Sequence, residues 1–525
     1  MADMTMAAIG GGLDHLALRA EATPDKPALI DDRPDGFLRV VSFRELNELV
    51  NRIANALVAG GFESGERLVW AGRNCVEVVA IQHAARKAGG FSISLNHRLT
   101  RSEVHSIIGV AEPTFVWTAG AHRDLFAKEE LPGVREIVVF EGEALPGQRP
   151  VGDFLAGQSS QEPVPRDSSR EGFDPILIFT SGTTGLPKGV IRYRLGASEV
   201  ELQSGLLGGG DGVFIVTGSL SHGGPNGMAT NSLLIGGSVV LQHRFDAEDW
   251  LRLVEKYRVS HSYSAPYAVR HVCALPEATR RRYDASSLVT MIAAAAQWPH
   301  SLKQDFIRCF PGCALWELYG SSELATVTVQ APEDQLRKPG SCGRPAPGVE
   351  ILLVDEDDQV VTEPQQPGLL YARSESVFES YLGDDESDRK SRRGDFATSG
   401  DIAYFDDEGF YYICDRQKDM LVSGGTNVYP KEIENVLESH PGIFESAVIG
   451  RPDEEWGERP HALVVLNEGE RISSEEILSF CRERLAGYKV PSSLEFVDEL
   501  PHGVSGKLAK RELRAQPARP GAEGR

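Results

Sequence analysis

The sequence predicts an α/β protein built on mostly parallel, helix-covered sheets. Three observations lead there. Helix-like and strand-like stretches alternate through the first half of the chain. From about Pro339 to Cys414 the texture changes to short strands, such as EILLVD and GLLYAR, separated by Gly, Pro and Asp turns. After Arg416 a compact α+β segment begins. A βαβ rhythm gives parallel strands with helices on their faces, and closely spaced turns give a small β unit.

Each element follows from its residues. SFRELNELVNRIANALVAGG, from Ser42 to Gly61, opens on an N-cap Ser with Glu45 three residues later as a capping box. It carries an apolar helical face and ends on glycines, so it is a helix. ERLVWAG, TFVWTAG and REIVVFEG read as strands, and CVEVVAIQHAARKAGG as a helix between the first two. Further on, DGVFIVTG and GSVVLQH read as strands and DAEDWLRLVEKYRV as a helix. In the last segment PKEIENVLESHPG and SSEEILSFCRERLA are helical, ESAVIG and HALVVLN are strands, and the tail AQPARPGAEGR has the composition of a disordered end.

Composition narrows the function. A chain of 525 residues is too long for one core and suits about three to four structural units. The net charge of −22 argues against a nucleic-acid partner or an anionic membrane surface, which call for clustered Lys and Arg. The N-terminus lacks the basic region of a signal peptide, and no apolar run reaches the roughly 20 residues that span a bilayer, so a cytoplasmic protein is expected. The seven cysteines are scattered and odd in number, which argues against a disulfide framework. CFPGC, from Cys309 to Cys313, is the one close pair, and it lacks the second pair or nearby His of a zinc site.

One stretch carries chemistry: IFTSGTTGLPKGV, from Ile178 to Val190, whose only charge is Lys188. Gly182 and Gly185 let backbone N–H groups approach a phosphate closely. Thr180, Ser181, Thr183 and Thr184 offer hydroxyl donors, and Lys188 a cation. The same composition also suits a plain surface turn. The P-loop pattern does not fit, because Pro187 stands five positions after Gly182 and Gly189 follows Lys188. The apolar PILIF before the loop reads as a buried strand feeding it.

Taken with ELYGSSEL (Glu317 to Leu324), TSGD (Thr398 to Asp401), DRQKDMLVSGGTNVYPKEIE (Asp415 to Glu434) and LPHGVSGKLAKREL (Leu500 to Leu513), this loop resembles the adenylate-forming superfamily of acyl-CoA synthetases, luciferase and peptide-synthetase adenylation domains. SGGTNVYPKEIE and GYKVP resemble the acyl-CoA synthetase branch most. The resemblance implies a large N-terminal domain, residues 1–416, of two helix-covered sheets plus a small β-barrel-like unit. It implies a smaller mobile α+β C-terminal domain, residues 417–525. It implies that a carboxylic acid attacks ATP to give acyl-AMP and pyrophosphate, and that CoA then displaces AMP.

Roles follow residue by residue from the same resemblance. The loop from Thr180 to Lys188, with Thr183 and Lys188 as catalytic members, would grip the β- and γ-phosphates. Lys507 would bridge the carboxylate and the α-phosphate, and Glu323 would hold Mg²⁺. Tyr319 would stack on adenine, with Gly320, Ser321, Ser322 and Ala295 lining the nucleotide site. Asp401 would accept the ribose hydroxyls and Arg416 would assist at the ribose or the phosphates. Gln417 and Lys418 would hinge the two domains. Gly424 and Gly425 would let pantetheine pass, and His222 in SLSHGGPNG would stand between acyl pocket and thiol channel. Ser322 replaces a usual Thr and keeps the hydroxyl.

One departure concerns the acid. The family run Gly-Ala-Ala-Pro reads AAAAQWP here, Ala293 to Pro299. Ala294 would shorten the acyl pocket, and Gln297 and Trp298 would add a polar group and bulk nearby. That keeps open a second reading, transfer of the acyl group to an amine. A third, a nucleotide-binding protein without catalysis, conflicts with the presence of the lysine, the acidic ligand and the ribose carboxylate. Neither the particular acid nor the oligomeric state can be read from the residues.

Overall fold

The structure, a computed structural model, describes residues 14–163, 176–180, 188–192, 195–417, 419–423, 426–453, 456–502 and 508–515. Two parallel sheets form the larger part. In the first, strands Phe91–Leu95, Arg67–Ala71, Phe115–Ala119, Glu136–Phe140 and Arg149–Pro150 lie side by side in that order, all parallel. In the second, nine strands line up, and the six from Ala314–Ser321 inward to Pro27–Asp32 are parallel. Antiparallel strands close both edges. Helices cover the faces, among them Phe43–Ala59, whose expected capping box between Ser42 and Glu45 is formed.

The small β unit is a six-stranded antiparallel sheet that includes Glu350–Val354, Gly368–Arg373, Asp401–Phe405 and Tyr411–Arg416. The α+β segment is a five-stranded sheet around the long hairpin Ile443–Asp453 and Gly457–Leu466, with helices Pro430–Leu437 and Ser474–Arg482 on it. Strand Phe91–Leu95 and helix Arg101–Ala111 lie between the elements anticipated from the sequence. The helix has its own capping box, Thr100 with Glu103. The strand FSISL alternates as a half-buried strand should, and it is short. No helix among the described residues is long and apolar enough to cross a membrane.

The strand expected before the glycine loop is Ile176–Thr180. It pairs antiparallel with Lys188–Arg192, so a strand follows the loop where a P-loop would lead into a helix. Ser380–Tyr381 adds a third strand alongside.

A buried ion pair fixes the hairpin that carries the ELYGSSEL turn. Lys303, on helix His300–Cys309, is 1% exposed and donates to Glu317 Oε2 and, at 2.9 Å, to Gln330 Oε1. Glu317 and Gln330 stand opposite one another on strands Ala314–Ser321 and Ala325–Gln330. Removing one partner of such a pair leaves an uncompensated buried charge. Lys303→Met is therefore expected to destabilise the protein by about 3–5 kcal/mol, read as a lower thermal midpoint. Lys303→Met with Glu317→Met should recover most of the loss. A single variant that melts with the wild type would contradict the role assigned to the pair.

Candidate active site

Asp401 lies at the junction of the nine-stranded and six-stranded sheets. Its carboxylate is 5% exposed and holds three side chains. Oδ2 accepts from the Tyr319 hydroxyl at 2.8 Å and the Ser399 hydroxyl at 2.9 Å. Oδ1 lies 3.3 Å from Nε of Arg416, the residue directly across the hairpin from Asp401. Burial, followed by the Asp401 charge, pushes the Tyr319 phenol well above its ordinary range. Burial would lower the Arg416 guanidinium, yet Asp401, Glu323 and Tyr319 together hold it above its usual value. Tyr319, Asp401 and Arg416, read as one group from the sequence, are thus brought together.

The ELYGSSEL turn owes its shape to close backbone approach. A Cβ on Gly320 would lie 1.9 Å from the Ala325 carbonyl oxygen, so no other residue fits where the hairpin shifts register. Ser321 Oγ accepts from the Leu324 amide at 3.1 Å and closes the turn. Glu323 Oε1 accepts from the Tyr381 hydroxyl at 3.1 Å. Among the described residues its other oxygen carries no hydrogen bond.

Tyr381 also connects Glu323 to the glycine-loop hairpin. Lys188 Nζ sits 5.0 Å from the centre of the Tyr381 ring, bonds the Ser387 hydroxyl and lies 3.7 Å from Asp384 Oδ2. Thr180 faces Lys188 in register at the mouth of the hairpin. Ser181, Gly182, Thr183, Thr184 and Gly185 lie outside the described residues, as do Lys418, Gly424, Gly425 and Lys507. On either side of the last, His502 and Leu508 form a backbone bridge. His502 lies over Tyr267, ring centres 5.2 Å apart, and Lys510 donates to Glu434 at 2.8 Å.

His222 caps helix Gly223–Leu234, and a Cβ on Gly223 would stand 4.0 Å from Ser322 Oγ and 2.9 Å from Ile178 Cδ1. The helix therefore begins where the two motif-bearing segments meet. Two asparagines that the motifs did not mark hold this loop. Asn74 accepts from the Leu220 amide at 2.9 Å and donates to the Gly218 carbonyl at 2.9 Å. Asn96 donates to Ser221 Oγ at 3.0 Å, and its Nδ2 lies 3.3 Å from His222 Nε2. Each follows a parallel strand, the position where side chains of α/β sheets meet ligands.

Around these asparagines gather Arg73, His97, Arg98, His122, His243 and Arg244, in the turns after strands Arg67–Ala71, Phe91–Leu95, Phe115–Ala119 and Ser238–Leu241. His97 and His122 have ring centres 5.7 Å apart. Burial, then the charges of Arg73 and its neighbours, lowers His97 to about 4. Burial and the nearby Arg244 and Arg98 charges lower Arg73. In a chain of net charge −22 the three arginines are a local concentration of cations, and Glu141 and Asp31 act on His243 at its border.

The run Ala293 to Pro299 differs from expectation in direction. Ala295 takes a left-handed backbone, φ +69°, which strains a residue with a Cβ. Trp298 packs into the core on the far side of the sheet against Phe306 and donates to the Ser264 carbonyl at 3.3 Å. Gln297 donates to the Gly340 carbonyl at 2.6 Å and lies 3.5 Å from Asn435. These contacts take Gln297 and Trp298 away from the face that carries Ala294 and Leu318, which pack with helix Gly223–Leu234.

Two family models and several known proteins match most of the chain. A model of the AMP-binding enzymes matches residues 16–382, and one of the AMP-binding enzyme C-terminal domain matches residues 432–507. The indoleacetate–CoA ligase of Aromatoleum aromaticum is 32% identical over 496 residues, 92% of this chain and 94% of that one. A feruloyl-CoA synthase of Amycolatopsis is 33% identical over 482 residues, 90% of this chain and 93% of its own. Among solved structures, the anthranilate CoA ligase AuaEII in complex with anthranoyl-AMP superposes with a TM-score of 0.84 at 26% identity, covering 96% of this chain and 97% of that one. The amide bond synthetase McbA from Marinactinospora thermotolerans shares the fold, with a TM-score of 0.82 at 23% identity over 95% of this chain and 98% of its own.

Proposed function

The chain belongs to the AMP-binding enzymes, and on that footing we infer that it is an AMP-forming carboxylic acid–CoA ligase. An acid oxygen attacks the α-phosphorus of ATP, pyrophosphate leaves, and the CoA thiol then displaces AMP from the acyl carbon. The observation that carries the reading is the Asp401 group, a buried carboxylate shared by an aromatic ring and a guanidinium beside Glu323. Such a carboxylate has four lone-pair sites, so Oδ1 can accept from ribose while Oδ2 keeps its hydroxyl partners. Tyr319 would offer a ring face to adenine, with Gly320, Ser321, Ser322 and Ala295 around it, and Arg416, held by Asp401, would assist at the ribose or the phosphates.

Phosphoryl transfer asks mainly for positioning and charge neutralisation. We assign Lys188, with the hydroxyls and amides from Thr180 to Gly185, to the β- and γ-phosphates, and Lys507 to the carboxylate and α-phosphate. Glu323 fits a Mg²⁺ carried in on the triphosphate, since it offers a hard oxygen free of hydrogen bonds to the described residues. When bound, the ion would supply positive charge to the departing pyrophosphate. The division at residues 416 and 417 makes Gln417 and Lys418 the hinge. Turning there would bring Gly424 and Gly425 to the thiol arm while Lys507 withdraws.

The acceptor follows from charge. CoA brings phosphates as well as a thiol, and Arg73, Arg98 and Arg244 flank the loop that presents His222. A simple amine would have no use for them. The amine reading rests on a likeness of fold alone, so CoA is the acceptor proposed. For the acid we propose a ring-bearing carboxylate, because the relatives above are named for indoleacetate, feruloyl and anthranilate groups.

Pyrophosphate release and CoA-thioester mass, measured over ring-bearing and straight-chain acids, test the assignment. Ring-bearing acids should turn over and yield thioester. With the best acid, Lys507→Ala should slow adenylation by about 10²–10³ while leaving thioester formation from supplied acyl-AMP. Amide in place of thioester with the wild type, or equal loss of both half-reactions, would refute it.

The cation cluster makes a separate prediction. A bound phosphate stabilises imidazolium, so saturating CoA should raise the His97 titration midpoint from about 4, read by NMR. Arg73→Ala removes a repelling cation and should raise it without CoA, while KM for CoA climbs about tenfold. A His97 midpoint that CoA leaves in place would put its phosphates elsewhere.

A further inference from the structure

The close cysteine pair of the sequence is not the pair the fold makes. Cys313 turns into the core, 3.9 Å from the Ala314 carbonyl, and burial pushes its thiol up to about 12. Cys309, the last residue of helix His300–Cys309, instead meets Cys273 near the end of helix Pro266–Ala274. Both side chains pack at the edge of the same apolar core, each thiol acts on the other's titration, and both are partly exposed. Arg280, at the end of the short helix Glu277–Arg280, donates from its guanidinium to Cys309 Sγ and anchors its own Nε on the Leu275 carbonyl at 3.1 Å.

This arrangement sets Cys309 apart from the other cysteines. Burial raises Cys75, Cys313, Cys342, Cys414 and Cys481. Cys273 is raised by Cys309 and by burial. Cys309 alone is lowered, to about 6: the Cys273 thiol, with Arg280 and Arg308, outweighs burial and the nearby Asp305. A thiolate beside an arginine, with a second thiol in contact, is the pattern of an oxidisable cysteine with its resolving partner.

We propose that Cys309 and Cys273 are a peroxide-oxidised pair, a modification site apart from the active site, that closes to a disulfide between the two helices. The Cys309 thiolate attacks a peroxide oxygen, the O–O bond breaks, hydroxide leaves, and Cys309 becomes a sulfenic acid. The Cys273 sulfur then attacks the Cys309 sulfur and the S–O bond breaks. The Cys273 proton leaves with the oxygen as water. Two thiols are oxidised by two electrons and one peroxide is reduced to two waters.

The bond would join two helices on which the C-terminal segment rests. Arg270 of the first pairs with Glu438 Oε2 at 3.3 Å, and Ser301 of the second donates to the Glu438 carbonyl at 3.2 Å.

The test is limiting hydrogen peroxide on the full-length reduced protein, followed by intact mass and non-reducing peptide mapping. The expected first product is two hydrogens lighter, with the Cys273 and Cys309 peptides linked. Cys273→Ser should instead accumulate a sulfenic acid at Cys309, captured by dimedone. Arg280→Met should slow the oxidation about tenfold at neutral pH, as the thiolate fraction falls. First oxidation at another cysteine, a Cys309–Cys313 link, or an Arg280→Met protein that reacts at the wild-type rate would overturn the proposal.

Discussion

The site depends on one buried carboxylate. Asp401 begins a strand of the six-stranded sheet and receives the Tyr319 hydroxyl from a strand of the nine-stranded sheet. A charge 5% exposed is costly without partners, and the cost is offset only if the sheets stay where Tyr319, Ser399 and Arg416 can reach it. The same group ends where the C-terminal segment starts, since Arg416 is the last residue of its strand. The chain therefore fixes Tyr319, Asp401 and the start of the segment after Arg416 through a single electrostatic knot.

Around that knot the parts are held by contacts between residues far apart in the chain. Lys303 fixes the hairpin of Tyr319, and Tyr381 links Glu323 to Lys188. Asn74 and Asn96 hold the His222 loop from the other sheet. Lys188, Glu323 and Asp401, the residues proposed for the phosphates, the metal and the ribose, thus belong to three different sheets or the turns that join their strands. Glu323 and Asp401 are each held by a tyrosine hydroxyl from another sheet, which limits the reorganisation left for the reaction itself.

Much of this was legible in the sequence, for a physical reason. Tyr319, Asp401 and Arg416 lie in segments whose small residues are dictated locally, as Gly320 is by the Ala325 carbonyl. Parallel strands were readable because strands buried on both faces are continuous apolar runs. Helix Arg101–Ala111 carries a readable capping box in Thr100 and Glu103. Tyr381, Asn74, Asn96 and the cations around His97 carry no local pattern, because their roles exist only once distant strand ends converge. Gln297 and Trp298 were misplaced for a related reason. The backbone turns left-handed at Ala295, so residues beyond it no longer follow the alternation of the strand.

The most direct measurement is calorimetric titration of AMP and of 2′,3′-dideoxy-AMP against wild type and Asp401→Asn. If Asp401 accepts the ribose hydroxyls, the wild type should favour AMP by about 1.5–3 kcal/mol, roughly 10–150-fold, and the variant should bind both nucleotides with nearly equal, weaker affinity. An Asp401→Asn protein that still prefers AMP as strongly as the wild type would contradict the account.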